Sequence, residues 1–208
     1  LWNLPIPPAA HEFARAALPA SEVPLLGISA CSSHQRRNWN ARGYVEVARH
    51  AYRRHGMEIV LLGGRSEIEA EMRDQMRALA PELPFIDLIG KDTLKQMLAL
   101  LARMTVLLAP DTGPAHLASA LGVPVLGLYA ATSSARSGPY RSLQWCIDKY
   151  PQVAQQRGRD ASTLAWGKRL EFPGVMDAIG IEETVAMLDA LLATPPAKRL
   201  APARLRRG

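Results

Sequence analysis

The chain has 208 residues, 48% of them apolar, enough to bury the core of one sizeable domain and too apolar for a disordered chain. No run reaches the roughly 18 uninterrupted apolar residues of a membrane span and no basic-then-apolar leader opens the sequence, so the expected location is cytoplasmic. Lys and Arg exceed Asp and Glu by 25 to 19, but Lys198, Arg199, Arg204, Arg206 and Arg207 crowd the acid-free end, leaving 20 against 19 elsewhere and no support for a nucleic-acid partner.

Pro5, Pro7 and Pro8 open a linker that runs into a short amphipathic helix ending near Leu18, and residues 1–22 are set apart on that basis. A buried strand is predicted over 23–30, then a Ser-rich turn at 31–33, then His34, Gln35, Arg36, Arg37, Asn38 and Trp39. A helix follows over 41–55, with Val45, Ala48 and Tyr52 on its apolar face. Residues 57–62 form the next strand, stopped by Gly63 and Gly64, and Ser66 caps a helix to Leu79. A short strand at 85–88 precedes a helix that Thr93 caps, running from Leu94 to about Arg103. Continuous apolar runs at 104–109 and 123–129 suit strands covered on both faces. Beyond Tyr140 the pattern loosens into a polar, aromatic-dotted insertion at 145–169, with Trp145 and Trp166 expected as packing residues, before a closing helix at 182–193. Such alternation predicts an α/β fold, a Rossmann-like doubly wound parallel sheet over 23–194, with a basic, disordered tail at 195–208. The tail could also touch the anionic face of the inner membrane. Cys31 and Cys146 lack metal-ligand spacing and read as small apolar residues, so neither a metal site nor a disulfide is supported.

Ligands of such sheets bind at the carboxyl ends of the strands. Three loops fall there, 32–39, 63–67 and 109–113, with 88–93 flanking. The last of the three carries the sharpest signal. Pro114 fits the first helical position and Gly122 with Pro124 stops the helix after about two turns, so the helix begins near Thr112 or Gly113. Unpaired N–H groups and the positive dipole end then face out of the sheet, which is an anion site. Gly113 removes the side chain that would block approach, Thr112 can cap the helix or donate to a phosphate, and His116 can reach the same space. Asp111 beside a phosphate is electrostatically awkward and fits a hydroxyl or a neighbouring side chain better. Asp-Thr-Gly-Pro also reads as an ordinary strand-to-helix turn. Neither GxGxxG nor GxxxxGK[ST] is present, which speaks against dinucleotide cofactors and nucleoside triphosphatases; no cofactor is expected.

DTGPAHLASALGVPVLGLYAATS, the preceding LIGKDTLKQMLALLARMTVLLAP and SGPY at 137–140 together resemble family 9 glycosyltransferases, the lipopolysaccharide heptosyltransferases. The resemblance spans about 23–192, and Leu164-Ala165-Trp166-Gly167 looks like the late region of one branch of that family. It implies one half of a GT-B enzyme that moves heptose from ADP-heptose to a lipid-linked core oligosaccharide. Only the second, donor-binding domain is matched. In the family the amino-terminal half supplies the acceptor surface and the proposed general base, so this chain is expected to bind donor and to be inactive without such a half. The alternative is a non-catalytic nucleotide-sugar-binding module or subunit; a sugar-nucleotide epimerase would need its acid–base residues and second domain within one chain.

Carried onto this sequence, the resemblance places Asp111, Thr112, Gly113, Pro114 and His116 on the donor-binding element and Glu67 on the acid that contacts the adenosine ribose. Ser33, Gly64, Leu88 and Gly90 complete the expected contacts. Arg37 falls where the family usually has a lysine that neutralises the diphosphate, and it is the expected leaving-group stabiliser. Arginine keeps the charge but changes reach and shape. Ala131 and Ser133 replace the Pro and Asp of a common Gly-Pro-Thr-Asp turn, and Thr132 is retained. From the residues alone, Arg37 also reads as a solvated charge, Glu67 as a first-turn acid favoured by the helix dipole, and Trp39 as a core anchor. Breaking the glycosyl bond leaves negative charge on the departing diphosphate, so cations and helix N–H groups gain interaction as it breaks. No DxD-like acidic loop is present, in keeping with transfer that needs no metal.

Overall fold

Among the described residues six strands form one parallel sheet: β1 (Leu25–Ile28), β2 (Glu58–Leu61), β3 (Ile86–Asp87), β4 (Val106–Pro110), β5 (Val125–Tyr129) and β6 (Cys146–Asp148). The structure, a computed structural model, describes residues 2–20 and 22–201. The strand order is β3-β2-β1-β4-β5-β6, so the direction of winding reverses between β1 and β4. That reversal opens a crevice at the carboxyl edge, where the loops after β1 and β4 part to opposite faces.

The strands are buried on both sides, and this explains their unbroken apolar runs. Leu26, Ile28, Ile59, Leu61, Val106, Leu108, Leu126 and Leu128 face one core layer, whereas Leu25, Val60, Leu107 and Val125 face the other. The first layer is covered by α2 (Ala41–His55), α3 (Glu67–Leu79) and α8 (Ile181–Ala193); the second by α1 (Pro8–Ala17), α4 (Leu94–Leu101) and α5 (Gly113–Leu121). Two short helices, α6 (Ser134–Ser137) and α7 (Tyr150–Gln156), flank β6.

Helix ends follow local chemistry. Asn40 caps α2 by accepting from the Gly43 amide at 2.8 Å, and Gly56, at φ 61, ends that helix in the left-handed conformation. Ser66 and Thr93 cap α3 and α4. Trp39 is 1% exposed, donates Nε1–H to the Ile179 carbonyl at 3.1 Å and meets Tyr44 edge-on, so it anchors the loop after β1 to the core.

Several expectations are revised. The short helix expected in the opening segment is α1, but it is no loose linker: its Ala10 and Ala14 are buried against the layer of α4. Tyr52 stands at the margin of α2, 38% exposed, and Tyr44, Val47 and Ala51 complete the buried face. Trp166 is 73% exposed and packs in no core, while Trp145 is half-buried with Nε1–H on the Arg199 carbonyl at 2.6 Å. The insertion contains β6, a three-residue strand created by pairing with β5 and too short to show a period of its own. The start of the basic tail is held: Arg199 donates to the carbonyls of Thr194 and Leu192, and Ala201 pairs with Arg141. Arg204, Arg206 and Arg207, and with them the expected disorder and membrane contact of the far tail, lie outside the described residues. Cys31 and Cys146 are free thiols, each pushed up to about 12, by burial first and then by Glu69 and Asp148 respectively. No helix among the described residues is long and apolar enough to cross a membrane.

Candidate functional site

At the winding reversal a cleft of about 420 Å³ opens above the carboxyl ends of β1, β2 and β4. The loop after β1 supplies Cys31, Ser32, Ser33 and Arg37; the loop after β2 supplies Gly63 and Gly64, with Glu69 from α3; the β4–α5 turn supplies Asp111, Thr112, Gly113, Pro114 and His116. Met97 of α4 closes one side. Of the residues singled out in the sequence, Ser33, Arg37, Gly64, Asp111, Thr112, Gly113, Pro114 and His116 therefore meet around one space. Glu67, Leu88 and Gly90 are not among its lining.

The front of α5 is where backbone polarity meets open space. Thr112 is the N-cap and its hydroxyl accepts from the Ala115 amide at 3.4 Å. Gly113 is the first helical residue and Pro114 the second, one place later than the proline position expected. The Gly113 amide precedes any possible intrahelical partner, and Pro114 has none to offer. A Cβ built on Gly113 meets nothing within 4 Å, so neither packing nor backbone conformation demands glycine here. The bare backbone leaves room at the front of the helix, of the kind an approaching anion needs.

Asp111, at the tip of β4, faces its own neighbours. Its Oδ2 accepts from the Ser137 hydroxyl at 2.9 Å and lies 3.9 Å from Arg136, while Oδ1 lies 3.8 Å from His116 Nε2. Burial works to raise its pKa, but His116, Ser137 and Thr132 around it outweigh burial and hold the carboxyl below its ordinary value. Asp111 thus stays ionised, with the His116 ring in ion-pair range. Thr132, the retained member of the altered turn after β5, contributes to this cluster.

Arg37 sits in a 3₁₀ turn, Gln35–Arg37, and is 8% exposed. Its Nε donates to Glu171 Oε1 at 2.6 Å, and its Nη2 is buried without a partner. The Glu171 carboxyl is raised by burial but lowered further by the Arg37 hydrogen bond and charge, with His34 and Arg169 adding to the effect, and its net pKa is depressed. Arg36 donates to the Glu171 carbonyl at 3.0 Å, so both arginines are tied to the same residue. Arg37 is consequently a paired cation with one guanidinium edge to spare.

The β2–α3 turn places two acids differently. Glu67 is the first residue of α3 and is exposed, whereas Glu69, half-buried, folds back into the cleft. Glu69 accepts from the Gly64 amide at 2.8 Å and from the Ser66 hydroxyl at 2.9 Å. The Ser66-x-x-Glu69 spacing, a helix-start signature, was the available signal. Leu88 is a core residue, and Gly90, at φ 71, donates its amide to the Gly63 carbonyl at 2.9 Å, so both brace the site from behind. Beside this turn Asp92 has a buried Oδ2 without a partner, and its pKa is pushed up to about 6 chiefly by burial, with Glu69 adding to the rise against Arg65 and its own backbone. Away from the cleft, His50, His55 and Asp189 bring three potential metal-ligand atoms within 4.8 Å of one another.

The model of glycosyltransferase family 9 (heptosyltransferase) matches residues 2–165. The lipopolysaccharide core heptosyltransferase OpsX of Haemophilus influenzae is 34% identical over 191 residues, which is 91% of this chain and 54% of that protein. The chain thus spans about half the length of this curated relative. Among solved structures, the glycosyl transferase family 9 protein of Veillonella parvula superposes with a TM-score of 0.65 at 22% identity, over 88% of this chain and 50% of that one. The ADP-heptose LPS heptosyltransferase II of Escherichia coli gives a TM-score of 0.65 at 21% identity, over 92% and 54%. The parallel sheet and its crevice are therefore the fold these structures share, and the chain belongs to glycosyltransferase family 9.

Proposed function

We propose that these residues form the donor-binding half of a heptosyltransferase, holding ADP-heptose in the cleft between the loops after β1 and β4 for transfer to a lipopolysaccharide core acceptor. One observation carries the reading: the open front of α5 at Gly113 and the side chain of Arg37 line the same cleft. A helix start and a guanidinium around one cleft suit a diphosphate. Each charge-assisted hydrogen bond contributes about 1.5–3 kcal/mol, and those to the leaving oxygens strengthen as the glycosyl bond breaks.

Roles follow from the neighbours of each group. Gly113 and Thr112 receive the diphosphate, and Arg37, steadied by Glu171, neutralises charge on the departing ADP. His116, beside Asp111, donates to a phosphate or sugar oxygen. Glu69 keeps a free lone pair on each carboxylate oxygen and is the acid placed for a ribose hydroxyl. Glu67 takes the first-turn role that the helix dipole favours. Acceptor binding and the general base belong to the half of the relatives that this chain does not span, and the working location is the cytoplasm.

Titration calorimetry with ADP and ADP-heptose tests this directly. Saturable heat with both is expected, and a folded sample that gives none at millimolar ligand refutes the reading. Heptose transfer after adding a family 9 amino-terminal half supports an incomplete enzyme. Binding without transfer in that mixture favours a nucleotide-sugar-binding subunit.

A further inference from the structure

Helix α2 ends at His55, five residues after His50, and five residues turn a helix through about 140° beyond one full turn. The two rings should leave the helix in different directions, yet both converge on one atom. His50 Nε2 lies 2.7 Å and His55 Nε2 2.6 Å from Oδ1 of Asp189 on α8, with ring centroids 5.4 Å apart and planes crossed at 65°. The three side chains are 26%, 25% and 44% exposed, half-sunk but open to solvent on one side. The flanking cations are directed elsewhere: Arg49 binds Glu46 and Glu82, and Arg53 lies 3.8 Å from Glu82. Arg54 and Glu182 border the same groove.

We propose that His50, His55 and Asp189 form a divalent metal site of zinc type, with solvent as the fourth ligand, that cross-links the end of α2 to α8. Two neutral imidazoles and a carboxylate are a borderline donor set that suits zinc and its first-row neighbours over calcium or magnesium. Tetrahedral donors on bonds of about 2.0–2.1 Å stand about 3.3 Å apart, so the present nitrogen–oxygen separations need open by only about 0.6 Å. Each ring then binds through Nε2 and carries its hydrogen on Nδ1, an exchange of tautomer that leaves its charge unchanged. The site lies at the opposite end of the 15-residue α2 from the cleft, roughly 20 Å along the helix, so it braces the fold and takes no part in transfer. By joining residues 134 and 139 positions apart it secures α8, whose Leu188 and Leu191 plug the core.

Untagged protein titrated with zinc chloride against a chromophoric chelator should bind one equivalent tightly, and zinc should raise the thermal midpoint. Cobalt chloride should give the intense visible bands of a four-coordinate ion. Asp189→Ala and the double variant His50→Ala/His55→Ala should each lose more affinity than the about 10- to 100-fold typical of losing an outer-shell partner. Replacing His34, away from this cluster, should leave binding unchanged. Wild-type protein that binds no zinc above the variants, or holds cobalt only in weakly coloured six-coordinate form, overturns the proposal. The wild-type stoichiometry and spectrum decide it even if a variant fails to fold.

Discussion

Two glycine turns at the carboxyl edge of the sheet are written alike and finished differently. Gly63-Gly64 after β2 and Gly113 after β4 each lie beside a hydroxyl-capped helix start, Ser66 and Thr112. In the first, a Cβ on Gly63 would come within 2.7 Å of Glu69 Oε1 and one on Gly64 within 3.1 Å of Oε2, so these glycines make room for the protein's own carboxylate. In the second, nothing stands where the Cβ would be. A glycine needed by the chain is thus distinguished from one reserved for something that arrives later.

The largest effect expected from this contrast is at Gly113. Gly113→Val should lower ADP affinity about 100-fold while changing unfolding free energy by less than about 1 kcal/mol, measured by calorimetry and urea melts. Unchanged ADP affinity would erase the difference between the turns. Gly63→Ala should show the reverse pattern, leaving ADP affinity closer to normal while costing up to about 1 kcal/mol of stability as the Glu69 carboxylate shifts, and the loss should shrink in a Glu69→Ala background.

Arg37→Ala comes next, with ADP weakened about tenfold and AMP much less, because the lost charge faces the outer phosphate. Glu171→Gln keeps an oxygen for Arg37 Nε while removing the opposing charge, so ADP should tighten by about 2–5-fold at low salt. Equal effects on ADP and AMP would remove Arg37 from the diphosphate. The smallest change concerns the edge of the closed turn. The pKa of Asp92 is raised in the fold, so the native state holds the extra proton and stability falls as pH rises from about 4 through about 6. Asp92→Asn should therefore raise stability near pH 7.5 by about 1 kcal/mol, after discounting for solvent at this half-exposed group, with no gain near pH 4. Thermal melts across that range measure it.

Most of the sheet and its helices are legible in the sequence because their signals are local. The caps at Ser66, Thr93 and Thr112 stand where the hydroxyl-before-helix rule puts them, and α2 spans 41–55 as its periodicity predicts. Strand β6 escapes because three residues carry no period, and its extended form comes from pairing with β5. That Glu69 and not Glu67 lines the cleft has a subtler reason. Position fixes which acid starts the helix, but only the path of the glycine turn decides that Glu69 is the one folded inward.

By itself, the sequence determined a doubly wound sheet and an open helix start at Gly113, since apolar runs, caps and glycines act within a few residues of where they are written. Tertiary structure alone decided that Arg37 answers to Glu171, 134 residues away, and that His50 and His55 meet Asp189 across two helices. Those pairings depend on how distant elements stack on the two faces of the sheet, and no local spacing encodes them.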